Sequence, residues 1–237
     1  MKWLLISDIH SNLEALEAVL KSAKKIGYDR TAYMGDLVGY GPDPTAVCEW
    51  AIEEQKKGTI FVKGNHDQSI SDKNEYLGDY NPHARHAIEI QRNMMKPEHD
   101  EFLKSLPTSV VDGDITFVHG SPIGWTDYIL EQYEANEAIR WMKSKLCFIG
   151  HTHVPVEWHY TGDGKQNHRL INVGSVGQPR DYNPKACFAI FDTDEIREEE
   201  SGQVKFHRVK YDVSAVQKKM RDINMPTNLV ARLWEGR

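Results

Sequence analysis

Lys2-Trp3-Leu4-Leu5-Ile6-Ser7-Asp8-Ile9-His10 (KWLLISDIH) is a short apolar run that ends in a carboxylate and an imidazole. Residues 2–7 predict a buried strand, because the run is brief, apolar and not periodic at 3.6. The next segment changes period. Over residues 12–26, apolar side chains fall at Leu13, Leu16, Val19, Leu20, Ala23 and Ile26, the spacing of one helical face. Ser11 and Glu14 fit a capping box at its start. A strand, a polar pair and a helix in that order are the first unit of an alternating α/β chain.

The alternation continues. Residues 31–34 predict a second strand, and Asp43-Pro44 opens a second helix with Asp as cap and Pro at the first helical position. Residues 59–62 predict a third strand. Asn81-Pro82 opens a helix to about residue 95, and residues 97–106 a shorter one. Ile115–Val118 and Leu146–Ile149 are apolar strands flanking a helix near residues 133–143. Residues 169–173, 186–191 and 204–211 predict strands, the last two joined by an acidic exposed turn over 192–202, and a terminal helix starts near Ser214. Residues 68–80 are polar and poorly periodic, as expected of a mobile loop or lid. Nothing resembles a repeat or an interdomain linker, so residues 1–237 are expected to form a single domain. Strands alternating with helices imply a parallel or mixed sheet with helices outside, and ligands in such sheets bind beyond the carboxyl ends of the strands.

Composition narrows the class. The 237 residues are 40% apolar and 27% charged, the mix of an ordinary globular chain. No apolar run approaches the length of a membrane span, and the first one is too short for a secretory h-region. Cys48, Cys147 and Cys187 are scattered without metal spacing, as expected of reduced, buried thiols in a cytoplasmic protein. The net charge of −6 argues against broad nucleic-acid binding, which needs a basic stripe. It does not exclude an anionic substrate, because bound cations would reverse the local field.

The strand ends carry the chemistry. The first closes on Asp8 and His10, the second on Gly35-Asp36, and the third on Gly64-Asn65-His66-Asp67. Two later strands close on His119-Gly120 and on Gly150-His151-Thr152-His153. Carboxylate oxygens, an amide carbonyl and neutral imidazoles are ligands for divalent cations. Each motif alone is weak. Five apolar strands ending this way by accident would leave buried charges without partners, which is costly.

In order and spacing, these motifs resemble the calcineurin-like metallophosphoesterases. Val38-Gly39-Tyr40-Gly41-Pro42 and Gly174-Ser175-Val176-Gly177-Gln178-Pro179-Arg180 are similar to the compact bacterial and archaeal branch, which has phosphodiesterase and phosphatase members. The resemblance runs to about Asp192. It implies an α/β (α+β) fold, a four-layer α-β-β-α sandwich of two mixed central sheets flanked by helices. It further implies a dinuclear-metal-dependent phosphoesterase that cleaves a phosphodiester or phosphomonoester by in-line attack of metal-bound hydroxide. By the resemblance, Asp8, His10, Asp36 and His153 hold one metal, Asp36, Asn65, His119 and His151 the other, and Asp36 bridges. Two divalent ions are implied; mixed O/N ligation suits Mn, Fe, Co, Ni or Zn. His66 is implied to sit beside the metals, giving a hydrogen bond to the phosphoryl group or a proton to the leaving oxygen. Asp67 orients His66 or caps the next turn. Asn12 faces the site or caps the first helix, and Arg180 binds a substrate phosphate or makes a structural ion pair.

The expected partner is a small phosphate ester, with no membrane. Two other readings compete: a metal-binding scaffold for protein interaction, and a nuclease on the same fold with Trp125, Tyr128 and Tyr133 stacking on bases. His83, His86, His99, His159, His168 and His207 are expected to be bystanders. The walls that choose the leaving group are expected in residues 68–95 and in the loop after His119.

Overall fold

The computed structural model describes residues 1–162, 164–165, 167–194 and 202–237. In chain order the elements are β1 (Lys2–Ile6), α1 (Leu13–Ile26), β2 (Arg30–Met34), α2 (Pro44–Lys56), β3 (Ile60–Val62), α3 (Asn65–Ser71), α4 (Pro82–Met94), α5 (Pro97–Ser105) and β4 (Ser109–Asp112). They continue as β5 (Ile115–Val118), α6 (Gln132–Trp141), β6 (Leu146–Ile149), β7 (Val156–His159), β8 (Arg169–Asn172), β9 (Ala186–Asp192), β10 (Gln203–Val209), α7 (Val213–Asp222) and α8 (Thr227–Glu235).

The strands form two five-stranded mixed sheets, ordered β10-β9-β1-β2-β3 and β4-β5-β6-β8-β7. In the first, β1, β2 and β3 are parallel. In the second, β5, β6 and β8 are parallel. The period-2 alternation of each strand decides which layer its side chains join. Leu4 and Ile6 point to one side and pack with Leu16 and Val19 of α1. Trp3 and Leu5 point to the other and meet Phe117, Leu146 and Phe148 of the second sheet. On the far side of that sheet, Cys147 and Ile149 pack against Ala135 and Ile139 of α6. The result is the four-layer α-β-β-α sandwich, its middle seam made of side chains from both sheets.

Four details differ from the sequence reading. Asn12, not Ser11, caps α1: its Oδ1 accepts from Ala15 N at 3.1 Å. Ser11 instead donates its hydroxyl to Gln91 Oε1. The strands β4 and β7 were not expected, because four residues with at most one buried side chain give no apolar run. The β4–β5 hairpin did carry a signal in Asp112-Gly113. The first part of the expected 68–80 loop is helical: Ser69, Ile70 and Ser71 are buried in α3. The terminal helix is a pair, α7 and α8, packed on each other and on Ala84 and Ala87 of α4. Of the acidic turn expected over 192–202, Asp192 closes β9 and residues 195–201 lie outside the described residues. All three cysteines are free and buried. Among the described residues, no helix is long and apolar enough to cross a membrane.

Candidate metal centre

The carboxyl ends of β1, β2, β3, β5 and β6 meet at one rim. Backbone hydrogen bonds continue past the strands and tie the loops together: Asp8 N donates to Gly35 O, His10 N to Asp36 O, and Gly150 N to His119 O. Gly64 has to be a glycine, since a Cβ there would overlap the Asp36 carboxylate. Nine described non-glycine residues have a left-handed backbone, and five of them are Asp8, His10, Asp36, His151 and His153. Such conformations cost about 1–2 kcal/mol per residue, and they persist only where the surroundings over-determine them. The concentration of strain at this rim marks it as the working part of the molecule.

Two buried groups of ligand type lie there: Asp8, His10 and His153, and Asp36, His119 and His151. Asp36 Oδ2 links them, 3.6 Å from His10 Nε2 and 3.3 Å from His119 Nε2. Its Oδ1 accepts from His66 N at 2.9 Å, which fixes the carboxylate plane. Asn65 joins the second group with Oδ1 3.1 Å from His119 Nε2.

The imidazole tautomers are set from behind. Nδ1 of His10 donates to Val38 O at 3.0 Å, Nδ1 of His119 to Met34 O at 2.7 Å, and Nδ1 of His153 to Gln178 O at 2.5 Å. Carbonyl partners of this kind hold a ring with its Nε2 lone pair aimed at a cation. His10 Nε2 and His153 Nε2 are only 3.0 Å apart. With both Nδ1 protons committed to carbonyls, two lone pairs face each other, an arrangement that needs a cation or an extra proton between them. Asp8 Oδ1 is buried with no hydrogen-bond partner and lies 3.2 Å from His153 Nε2. The donors present, all oxygen and nitrogen, therefore fit borderline divalent ions.

Charge in this cluster is strongly redistributed. Burial alone would raise Asp36, but His119 and His66 outweigh it and hold the carboxyl well below its usual range. Burial pushes His119 down, and Asp36 beside it reverses that, lifting it to about 9. His10 is driven well below its ordinary value by burial. His66 falls to about 4 and His151 to about 3, burial being the main cause for both.

A domain model of the calcineurin-like phosphoesterase superfamily matches residues 1–196. The chain belongs to that superfamily. A metallophosphoesterase from Sphaerobacter thermophilus, known from its crystal structure, is 38% identical, with a TM-score of 0.85 over 100% of this chain and 99% of that one. An uncharacterized protein of Methanocaldococcus jannaschii is 34% identical over 250 residues, 98% of this chain and 97% of its own. Phosphodiesterase YfcE of Escherichia coli is 25% identical over 204 residues, 82% of this chain and 89% of that protein. As a member of the superfamily, the chain is a metal-dependent phosphoric ester hydrolase, and its two buried clusters fit the dinuclear centre typical of these enzymes.

All seven ligand candidates named from sequence converge. His66 is beside them, 3% exposed, its ring 4.4 Å from that of Tyr40 and 5.1 Å from that of His10. Asp67 does not reach it. Its Oδ2 accepts from Gly64 N and its Oδ1 from Val38 N, which is the capping alternative. Asn12 is likewise used inside the fold, its Nδ2 donating to Gly177 O at 2.9 Å. Arg180 makes no ion pair with its neighbour Asp181, which pairs with Arg208; its backbone N donates to His153 O at 3.3 Å, and its side chain stands beside Tyr128. Its guanidinium lies 5.8 Å from the Tyr40 ring and donates to Gln178 Oε1. None of the six other histidines joins either cluster. Of the three candidate stacking aromatics, Trp125 and Tyr128 line the adjoining cavity, whereas Tyr133 is exposed and donates to Glu134.

Sequence reading missed the supports. Gln91 of α4 is fully buried; its Oε1 accepts from Gly39 N at 2.7 Å and its Nε2 donates to Gly41 O at 2.6 Å. It thus pins the loop that presents Val38 O to His10 and Tyr40 to His66. Tyr80 accepts from Asn65 Nδ2 at 3.0 Å, turning the amide oxygen toward His119. A lone buried Gln in a helix and a Tyr in a polar stretch carry no signal of this in one sequence.

Proposed function

We propose that the convergent rim is a dinuclear hydrolytic centre acting on a phosphodiester. Asp8, His10, Asp36 and His153 hold one ion, and Asp36, Asn65, His119 and His151 the other. The observation that carries this reading is Asp36 Oδ2, which stands within 3.6 Å of a nitrogen from each group. Mn, Fe, Co, Ni and Zn all suit the donors. When bound, such a pair supplies Lewis-acid stabilisation of the phosphoryl oxygens and makes water acidic enough to act at neutral pH.

The chain's own residues do the rest. His66 faces the cavity next to the second group and, as a neutral ring, offers an N–H to an oxygen on phosphorus or to the leaving oxygen. Preorganised donors of this type stabilise charge that develops in the transition state. Tyr40 packs against the His66 ring and holds it in place without a hydrogen bond. Arg180, beside Tyr40, brings a fixed positive charge that anchors a phosphate. In the overall reaction a water oxygen bonds to phosphorus, the bond to the alcohol breaks, and the alcohol oxygen leaves with a proton from water. The phosphodiesterase relative supports the choice of a diester.

The test is hydrolysis of bis- and mono-p-nitrophenyl phosphate by protein reconstituted with Mn²⁺, alongside Asp36→Asn. Wild type should cleave the diester, and Asp36→Asn should lose turnover together with metal content. If wild type leaves both esters untouched, the scaffold reading replaces this one. Wild-type turnover by Asp36→Asn would remove the shared-ligand role.

A further inference from the structure

A cavity of about 390 Å³ opens beside the ligand set, with His66 and His151 in its wall. His151 is 5% exposed and its Nε2 has no hydrogen-bond partner, so a buried polar group is left for a ligand to satisfy. The remaining wall has a distinct chemical character. Glu75 and Asp79 contribute carboxylates, Trp125 and Tyr128 contribute rings, and no Lys or Arg lines it among the described residues. Glu75 Oε1 accepts from Gln68 Nε2 at 3.0 Å, while its Oε2 is buried without a partner. The Tyr128 ring lies against His151, with centroids 4.0 Å apart, so the aromatic wall reaches the ligand set itself.

That lining is hostile to a second phosphate and favourable to a cation. A nucleoside diphosphate, a polyphosphate or a nucleic-acid strand would bring a second negative group against two carboxylates, and the one guanidinium that reaches this wall, Arg180 beside Tyr128, is already engaged by the reacting phosphate. A protonated amine meets the opposite conditions: carboxylates for its charge and its N–H donors, and ring faces whose quadrupoles attract cations. The volume suits one small headgroup, at the low end of the range for ligand pockets.

Resting on the hydrolytic reading above, we propose that this cavity receives a cationic leaving group, so that the preferred substrate is a phosphodiester of a small amino alcohol. The phosphoryl group sits at the ligand set and Arg180, and the alkylammonium points toward Glu75 and Asp79. Hydrolysis breaks the bond between phosphorus and the amino-alcohol oxygen. That oxygen keeps the electron pair and takes a proton from water, and the remaining hydroxyl oxygen joins phosphorus. Nothing is oxidised or reduced.

The experiment uses the Mn²⁺-reconstituted protein and three methyl phosphodiesters matched in size, whose second alcohol is ethanolamine, propanol or glycolate. Alcohol release gives kcat/KM for each. The ethanolamine ester should exceed the propyl ester by roughly tenfold, the scale of a desolvated cation–π contact with a carboxylate nearby, and the glycolate ester should be poorest. In the double variant Glu75→Gln with Asp79→Asn, the ratio of ethanolamine to propyl ester should fall close to one with an unchanged melting temperature. Equal or reversed rates for the charged and neutral esters, or a double variant that keeps the preference, would overturn this inference alone. Failure to cleave any of the three diesters would overturn the hydrolytic reading and this inference with it.

Discussion

The two oxygens of Asp36 face different demands. Oδ1 accepts the His66 amide proton, and Oδ2 sits between His10 and His119. The backbone of His66 therefore supports the ligand set, while its side chain is held apart by Tyr40 and Tyr80. For that reason His66→Gln should keep both ions by elemental analysis yet lower kcat about 10²-fold, the effect of losing one preorganised donor. A variant that loses its ions would show that His66 is itself a ligand. The pH dependence of the metal-free protein follows from His119. Its folded value of about 9 lies above the ordinary 6.5 because Asp36 outweighs burial. Stability from this pair is complete at and below the unfolded value and is lost as pH rises through the folded one. Metal-free protein should therefore melt at progressively lower temperature between pH 7 and 9. Metal-loaded protein, in which the cation replaces the proton, should show a much flatter profile by calorimetry. Identical slopes for both forms would count against a metal at His119.

At the level of elements, the parallel strands aim the candidate ligands, and α4 holds their loops in place. Gln91 reaches from α4 to Gly39, Gly41 and Ser11. Gln91→Leu keeps the volume but removes all three bonds, so the Val38 carbonyl no longer stays fixed behind His10. Metal affinity should fall about 10–100-fold, as for other residues behind a ligand, while Gln91→Glu, which keeps the acceptor for Gly39 N, should lose less. Equal affinities in titration calorimetry would show that Gln91 only packs. Much at this scale was legible in the sequence. Apolar runs ending in Asp, His or Gly-Asn-His exposed five strand ends, because burial and ligation leave a mark in residue type. β4 and β7 were not legible, because each has only four residues and at most one buried side chain. Nor was the α3 helix: Asn65-His66-Asp67-Gln68-Ser69 reads as polar loop, and tertiary burial with the Asp67 cap overrides weak propensity.

Over the whole molecule, the second sheet could not be read from periodicity. Phe117 and Phe148 look like any buried strand residues, and only their contact with Trp3 and Phe191 across the seam shows two sheets face to face. The site nevertheless depends on that seam. Asp8, Asp36 and Asn65 come from one sheet, His119, His151 and His153 from the other, so the cation pair would fasten the two halves at the rim. Saturating the purified protein with Mn²⁺ and recording both bound metal per chain and the electron paramagnetic resonance spectrum examines this assembly. A pair of ions per chain with an exchange-coupled signal that disappears in Asp36→Asn is expected. A single ion with the spectrum of isolated Mn²⁺, or coupling that survives in Asp36→Asn, would contradict the shared centre.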